Sequence, residues 1–260
     1  MADWDDRTRQ NYGSVPRAGG DVASRTTFDA GLRKYMLSIY NYMASGVLLT
    51  GIVSLLFYNS PFFSALYEVV QTPQGTQLQP TILGIIITLS PLGMLLVARF
   101  SGGLEKWSVG TLQIGFWLFA TLFGLSLSYI FAYFSGESIA ATFFATSAAF
   151  AGLSLFGYTT KKDLSGFGRF LIMGLVGIIV AMIINMFIGS SALALAVNIL
   201  GVLIFAGLTA YDTQRLKNIY QYVRGTSEQG RAVIMGALSL YLDFINMFLF
   251  LLQFMGAGRE

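Results

Sequence analysis

The sequence predicts an all-α membrane protein, a bundle of seven transmembrane helices. Three observations predict it. Hydrophobic residues make up 55% of the 260 and charged residues only 11%, against about 25% charged in soluble domains. Seven apolar stretches reach or approach the length that crosses a bilayer. Lys and Arg alternate, loop by loop, between the two sides. A soluble core of this size could not hide so much apolar surface from water, whereas lipid as the solvent removes the need.

Residues 1–33 are polar, with five Asp and five Arg, and lack apolar periodicity. They are predicted to form a disordered tail ahead of a transmembrane domain over 34–260. The first 30 residues hold no apolar h-region, so a cleaved signal peptide is not expected. The spans are predicted at 35–58, 81–98, 108–134, 138–158, 168–189, 191–211 and 232–256. Most reach the ~20 residues that cross ~30 Å of hydrocarbon. The second is short, and Pro91 is expected to kink it. One long connection, 59–80, carries Pro61, Pro73, Gly75 and Pro80 and reads as an extramembrane excursion.

Loop charge sets the orientation. The N-terminal flank holds Arg7, Arg9, Arg17, Arg25, Arg33 and Lys34. Loop two holds Arg99 and Lys106, loop four Lys161, Lys162 and Arg169, and loop six Arg215, Lys217, Arg224 and Arg231. Loops one, three and five hold none, and the C-terminal tail holds only Arg259. The alternation is unbroken. It predicts the N-terminus inside and the C-terminus outside, and an even number of spans would spoil it.

Composition also excludes chemistry. With no cysteine there is no disulfide, thiol nucleophile or thiolate metal site, and with no histidine there is no Ser-His dyad and no neutral-pH imidazole switch. Proton chemistry must fall to carboxylates, tyrosines or lysines. A net charge of +3, spread over loops, gives no nucleic-acid footprint. All five lysines lie at span ends or in loops, so a retinal Schiff base is excluded. An intramembrane aspartyl protease would also carry Tyr-Asp on its sixth span and Asp on its seventh. Here Leu240-Tyr241-Leu242 precedes Asp243 in place of Gly-x-Gly, and no proline follows Pro91 to supply Pro-Ala-Leu. No enzyme activity and no cofactor are expected.

Two carboxylates are out of place. Asp243 lies within Ala237-Leu238-Ser239-Leu240-Tyr241-Leu242-Asp243-Phe244-Ile245-Asn246, where a charge costs roughly 2.5–3.5 kcal/mol on insertion scales. Asp212 lies in Gly207-Leu208-Thr209-Ala210-Tyr211-Asp212-Thr213-Gln214-Arg215, at the inner end of the sixth span. Helical spacing aligns Gly236, Ser239, Asp243, Asn246, Phe250 and Gln253 on the seventh span. It aligns Asn198, Gly201, Phe205, Thr209 and Asp212 on the sixth, and Gly110, Gln113, Trp117, Thr121, Gly124 and Ser128 on the third. Ordinary helix packing accounts for the small and hydroxyl positions taken singly. A mid-membrane Asp243 instead demands a partner or water. Asp212 has a local alternative, pairing with Arg215 at i+3. With a loop at 213–231, the two carboxylates would sit at mismatched depths.

The strings Ala210-Tyr211-Asp212-Thr213-Gln214 and Ala237 to Asn246 closely resemble the signatures of the Bax inhibitor-1 family, over about residues 35–256. The resemblance implies a seven-helix fold, and the style of the composition suggests a bacterial member, expected in the inner membrane. It implies a pH-sensitive calcium leak, in which Asp212 and Asp243 form a proton-sensing pair. Arg99 would then be the arginine at the end of the second span that latches the closed state onto Asp212. Two adjacent carboxylates cannot both ionise cheaply, so such a pair is expected to share one proton. Calcium accepts carboxylate, carbonyl and water oxygens. Asp212 and Asp243 would give it a transient site, with Ser239, Asn246 and Thr209 lining the path. The expected partners are the lipid bilayer, calcium and protons. The alternative is a regulatory membrane protein that transports nothing and binds a partner such as a membrane protease, through the N-terminal tail.

Overall fold

The computed structural model describes residues 19–72, 75–102 and 106–256. In chain order the elements are α1 (Gly19–Tyr58), a single turn α2 (Phe63–Leu66), the strands β1 (Tyr67–Thr72) and β2 (Gly75–Pro80), α3 (Ile82–Phe100), α4 (Val109–Ser126), a second short turn α5 (Ile130–Tyr133), α6 (Gly136–Thr159), α7 (Ser165–Ile188), α8 (Ser191–Val223) and α9 (Glu228–Met255). Seven of the described segments are long and apolar enough to cross a membrane: α1, α3, α4 with α5, α6, α7, α8 and α9.

The bundle is built around α9, which packs against α8, α1, α6 and α4. Ala237, Leu240 and Tyr241 on it are 0% exposed. Its central turns are covered on all sides, so its polar stripe faces neighbouring helices and not lipid. The two outer spans each lean chiefly on one neighbour, α3 on α4 and α7 on α8. Their outward Leu, Ile, Met and Phe side chains are exposed, as a lipid solvent permits and water does not.

The long connection 59–80 is an ordered cap. Strands β1 and β2 form an antiparallel hairpin in which Tyr67 pairs with Pro80 and Thr72 with Gly75. It is tied to the bundle by the Tyr67 hydroxyl, which donates to the Ser126 carbonyl at 3.2 Å, and by the Tyr133 hydroxyl, which donates to the Leu78 carbonyl at 2.9 Å. Thr81 caps α3 by accepting from the Gly84 N–H at 3.1 Å. Within α3, Pro91 leaves the Ile87 carbonyl without its i+4 donor. The Ser90 hydroxyl fills that place at 2.7 Å, so the helix crosses with its backbone satisfied.

Three predicted boundaries move. First, α1 begins at Gly19, so 19–33 is helix, not loose tail, while 1–18 lie outside the described residues. The buried stripe Leu32, Tyr35, Met36, Ile39 and Met43 runs past the predicted start of the span and carries the helix with it. Second, the third span does not run unbroken to 134. It breaks after Ser126, where the Ser126 and Ser128 hydroxyls bond the carbonyls of Phe123 and Leu125, at 2.9 and 2.8 Å, three residues back. Third, α8 does not end at 211 but continues to Val223, because Leu216 and Tyr220 keep its buried face going through polar sequence. The loop expected at 213–231 shrinks to 224–227.

Candidate functional site

That last correction removes the depth mismatch. Asp212 lies eleven residues before the end of α8 and Asp243 fifteen after the start of α9. At 1.5 Å per residue these are about 17 and 22 Å from the same tight turn, a difference of roughly one helical turn. Both carboxylates are buried, Asp212 at 8% and Asp243 at 5% exposure. The Ser239 hydroxyl of α9 donates to Oδ2 of Asp212. Oδ2 of Asp243 is buried with no hydrogen-bond partner among the described residues. The charge within electrostatic range of Asp243 is that of Asp212, and Asp212 has exposed Arg215 three residues along its own helix.

Each residue of the Ala210–Gln214 string has its own task in holding this geometry. Gly157 of α6 lets the backbones touch, since a Cβ there would lie 2.2 Å from the Ala210 carbonyl oxygen. Gly168 of α7 receives the Tyr211 ring, which would stand 2.4 Å from a Cβ at that position. Thr213 donates to the Ser154 hydroxyl at 3.4 Å. Gln214 clamps the connection between α6 and α7 by accepting from the Leu164 N–H at 2.8 Å and donating to the Lys162 carbonyl at 2.7 Å. Asp212 is therefore fixed from both sides along the helix. In that connection Asp163 accepts from the Ser165 N–H at 2.9 Å. Its exposed carboxyl is held below the usual range by Ser165, first through the hydroxyl and then the backbone, with a lesser contribution from the Arg169 charge.

The other predicted path residues lie on the same two helices but bond locally. Thr209 is 0% exposed and donates to the Phe205 carbonyl at 2.8 Å. Asn246 donates to the Leu242 carbonyl at 2.7 Å. A third contributor was missed in the sequence. The buried face of α6 reads Thr142, Thr146, Phe150, Ser154 and Gly157, a hydroxyl stripe in steps of four, four, four and three. It packs on α8 and α9, and its spacing was legible from the start.

Arg99 stands apart. It is exposed in the last turn of α3 and forms no ion pair among the described residues. The latch onto Asp212 is thus not made in this structure, because α3 packs on α4 and not on α8. No group of three or more His, Cys, Asp or Glu that could hold a metal occurs among the described residues.

Comparison with known proteins matches this architecture. The family described as "Inhibitor of apoptosis-promoting Bax1" matches residues 32–260. An uncharacterized protein of Caulobacter vibrioides is 46% identical over 249 residues, 95% of this chain and 96% of the relative. Inner membrane protein YbhL of Escherichia coli K12 is 43% identical over 246 residues, 94% of this chain and 98% of the relative. An uncharacterized membrane protein of Streptococcus pyogenes is 37% identical over 231 residues, 89% and 96% of the two chains. With a match from residue 32 to 260 and relatives of this similarity along nearly their whole length, the chain belongs to the Bax inhibitor-1 family.

Proposed function

We propose that this protein is a pH-sensitive calcium leak of the bacterial inner membrane, with Asp212 and Asp243 as its proton-sensing pair. One observation carries this. Asp243 has a buried oxygen with no hydrogen-bond partner among the described residues, beside a second buried carboxylate. An orphaned acceptor in a low-dielectric interior is costly. A proton held between the carboxylates supplies the missing bond and removes one of two repelling charges. Losing that proton favours an arrangement in which cation or water reaches the pair, so proton count and path opening become linked. Calcium suits the donors on offer: two carboxylates, with hydroxyls from Ser239 and Thr209 and the Asn246 amide oxygen, make a weak site that an ion can leave.

The test is calcium flux through purified protein in liposomes, measured against pH. With no histidine, few groups other than perturbed carboxylates titrate between pH 5 and 8. Asp243→Asn keeps the shape and removes the titrating proton. The flux midpoint should move by about one pH unit or more, the coupling that defines interacting sites, or vanish, with insertion and abundance unchanged. If Asp243 only ties helices together, stability falls instead and the surviving protein keeps its midpoint. An unshifted midpoint at normal stability sinks the sensor role.

A further inference from the structure

α1 and α6 both flank α9 but barely touch each other, which leaves a furrow between them along the bundle. On the half that holds the inner-loop residues the furrow widens to a cavity of about 520 Å³, lined by Met36, Tyr40 and Met43 of α1 and by Phe150, Ala151 and Leu155 of α6. A second cavity of about 330 Å³ continues it on the other half, past Thr50 and Gly51 on one wall and Ala140 and Phe143 on the other. We propose that the larger cavity binds one acyl chain of a phospholipid whose anionic headgroup is held at Arg33.

The contents are limited by chemistry. The lining is almost all apolar and gives water few hydrogen-bond partners. Hydrocarbon packed along its walls gains dispersion contacts there. Both walls are membrane-spanning helices, so the medium at the opening is hydrocarbon. Charge then selects among lipids. Arg33 lines the mouth, exposed and without an ion pair among the described residues. Tyr158 lines the same mouth. Behind it stands Lys217, which donates to the Tyr158 carbonyl at 2.7 Å and lies 5.1 Å from the centre of its ring. Arg33 at the mouth of an apolar slot between transmembrane helices, with Lys217 behind Tyr158 adding to the positive field, complements an anionic headgroup with its tail in the slot. A polar N-terminal segment would leave the slot's apolar walls unmatched.

The experiment is native mass spectrometry of the full chain in mild detergent, titrated with phosphatidylglycerol or phosphatidylcholine of identical acyl chains. One phosphatidylglycerol should be retained preferentially, by about fivefold for each basic residue at the headgroup. Arg33→Ala should erase most of that preference and Arg33→Lys restore much of it. Ala151→Trp, at an exposed position on the slot wall, should expel the lipid without lowering the unfolding temperature. Should that variant fold poorly, Ala44→Trp on the opposite wall makes the same test. Equal retention of the two lipids overturns the proposal, as does retention that survives both the Arg33→Ala and the slot-filling changes. Binding that appears only after residues 1–18 are removed would make the N-terminal segment the occupant and overturn it too.

Discussion

Tyr241 and Asp243, two residues apart on α9, illustrate two ways of carrying a polar group into hydrocarbon. The Thr50 hydroxyl donates to the Ala120 carbonyl at 2.9 Å, so the Tyr241 hydroxyl, 2.7 Å away, donates to Thr50. That chain of bonds joins α9, α1 and α4 with every member satisfied. Asp243 has a buried oxygen left over. Tyr241→Phe should therefore be mild, costing about 0.5–1.5 kcal/mol by thermal or denaturant unfolding, because Thr50 keeps its bond to Ala120. The pH midpoint of flux should not move. A shifted midpoint would tie Tyr241 to the proton machinery and contradict a purely structural role. Asp243 was legible because a carboxylate inside an apolar run demands a partner, and Asp212, which has Arg215 as a local alternative, was legible through the Ala210–Gln214 string. The α6 hydroxyls were not singled out because Ser and Thr are unremarkable in such helices. Thr146, for one, satisfies itself on its own helix, donating to the Thr142 carbonyl at 2.8 Å.

At the scale of elements, the site depends on how closely α6 approaches α8. Gly157 sits against the Ala210 backbone, which has no flexible end to yield. Gly157→Ala should push the helices apart and cost about 1–3 kcal/mol, as overpacking does, and should disturb the Thr213–Ser154 contact beside it. An unchanged unfolding temperature would mean that the two helices are not held at this separation. α3 is the contrasting element: it rests on α4 and the hairpin end of the bundle, so it is among the spans with least to lose on moving. If it swings toward α8 to bring Arg99 to Asp212, Arg99→Ala should raise calcium leak at the pH that shuts the wild type. Unchanged flux in a folded variant leaves Arg99 as a charge that only sets topology. The existence of all seven spans was legible in apolar length. The bounds of α3, α6, α7 and α9 fall within about four residues of expectation, whereas the start of α1 and the ends of α4 and α8 do not: Leu32 draws α1 past its expected start, Leu216 and Tyr220 extend α8 through polar residues, and serine hydroxyls stop α4 inside apolar ones.

Over the whole molecule, the basic connections gather at one end. Arg231 at the start of α9 bonds the Trp107 carbonyl, ahead of α4, at 2.9 Å. Lys217 bonds Tyr158 at the end of α6, and Gln214 holds 162–164. Tyr35 of α1 meets Tyr220 of α8 with ring centres 5.2 Å apart. The opposite end carries the hairpin and an aromatic group of Tyr58, Phe63, Tyr67, Tyr129 and Phe131, of which the three tyrosines are the amphipathic residues expected at a membrane interface. Positive charge retained on the cytoplasmic side would put the N-terminus inside, the hairpin outside and, with seven spans, the C-terminus outside. The chain has no cysteine, so single introduced thiols report their own side without background. Exposed Gln79 in β2, Lys161 between α6 and α7, and Thr226 in the last turn are suitable positions. In intact cells an impermeant maleimide should label Gln79→Cys and spare Lys161→Cys and Thr226→Cys. All three should label once the membrane is permeabilised. Labelling of Thr226→Cys in intact cells would invert the bundle and place the basic end outside. Labelling of both Gln79→Cys and Lys161→Cys would mean that an odd number of crossings does not separate them, and the seven-span count would fail.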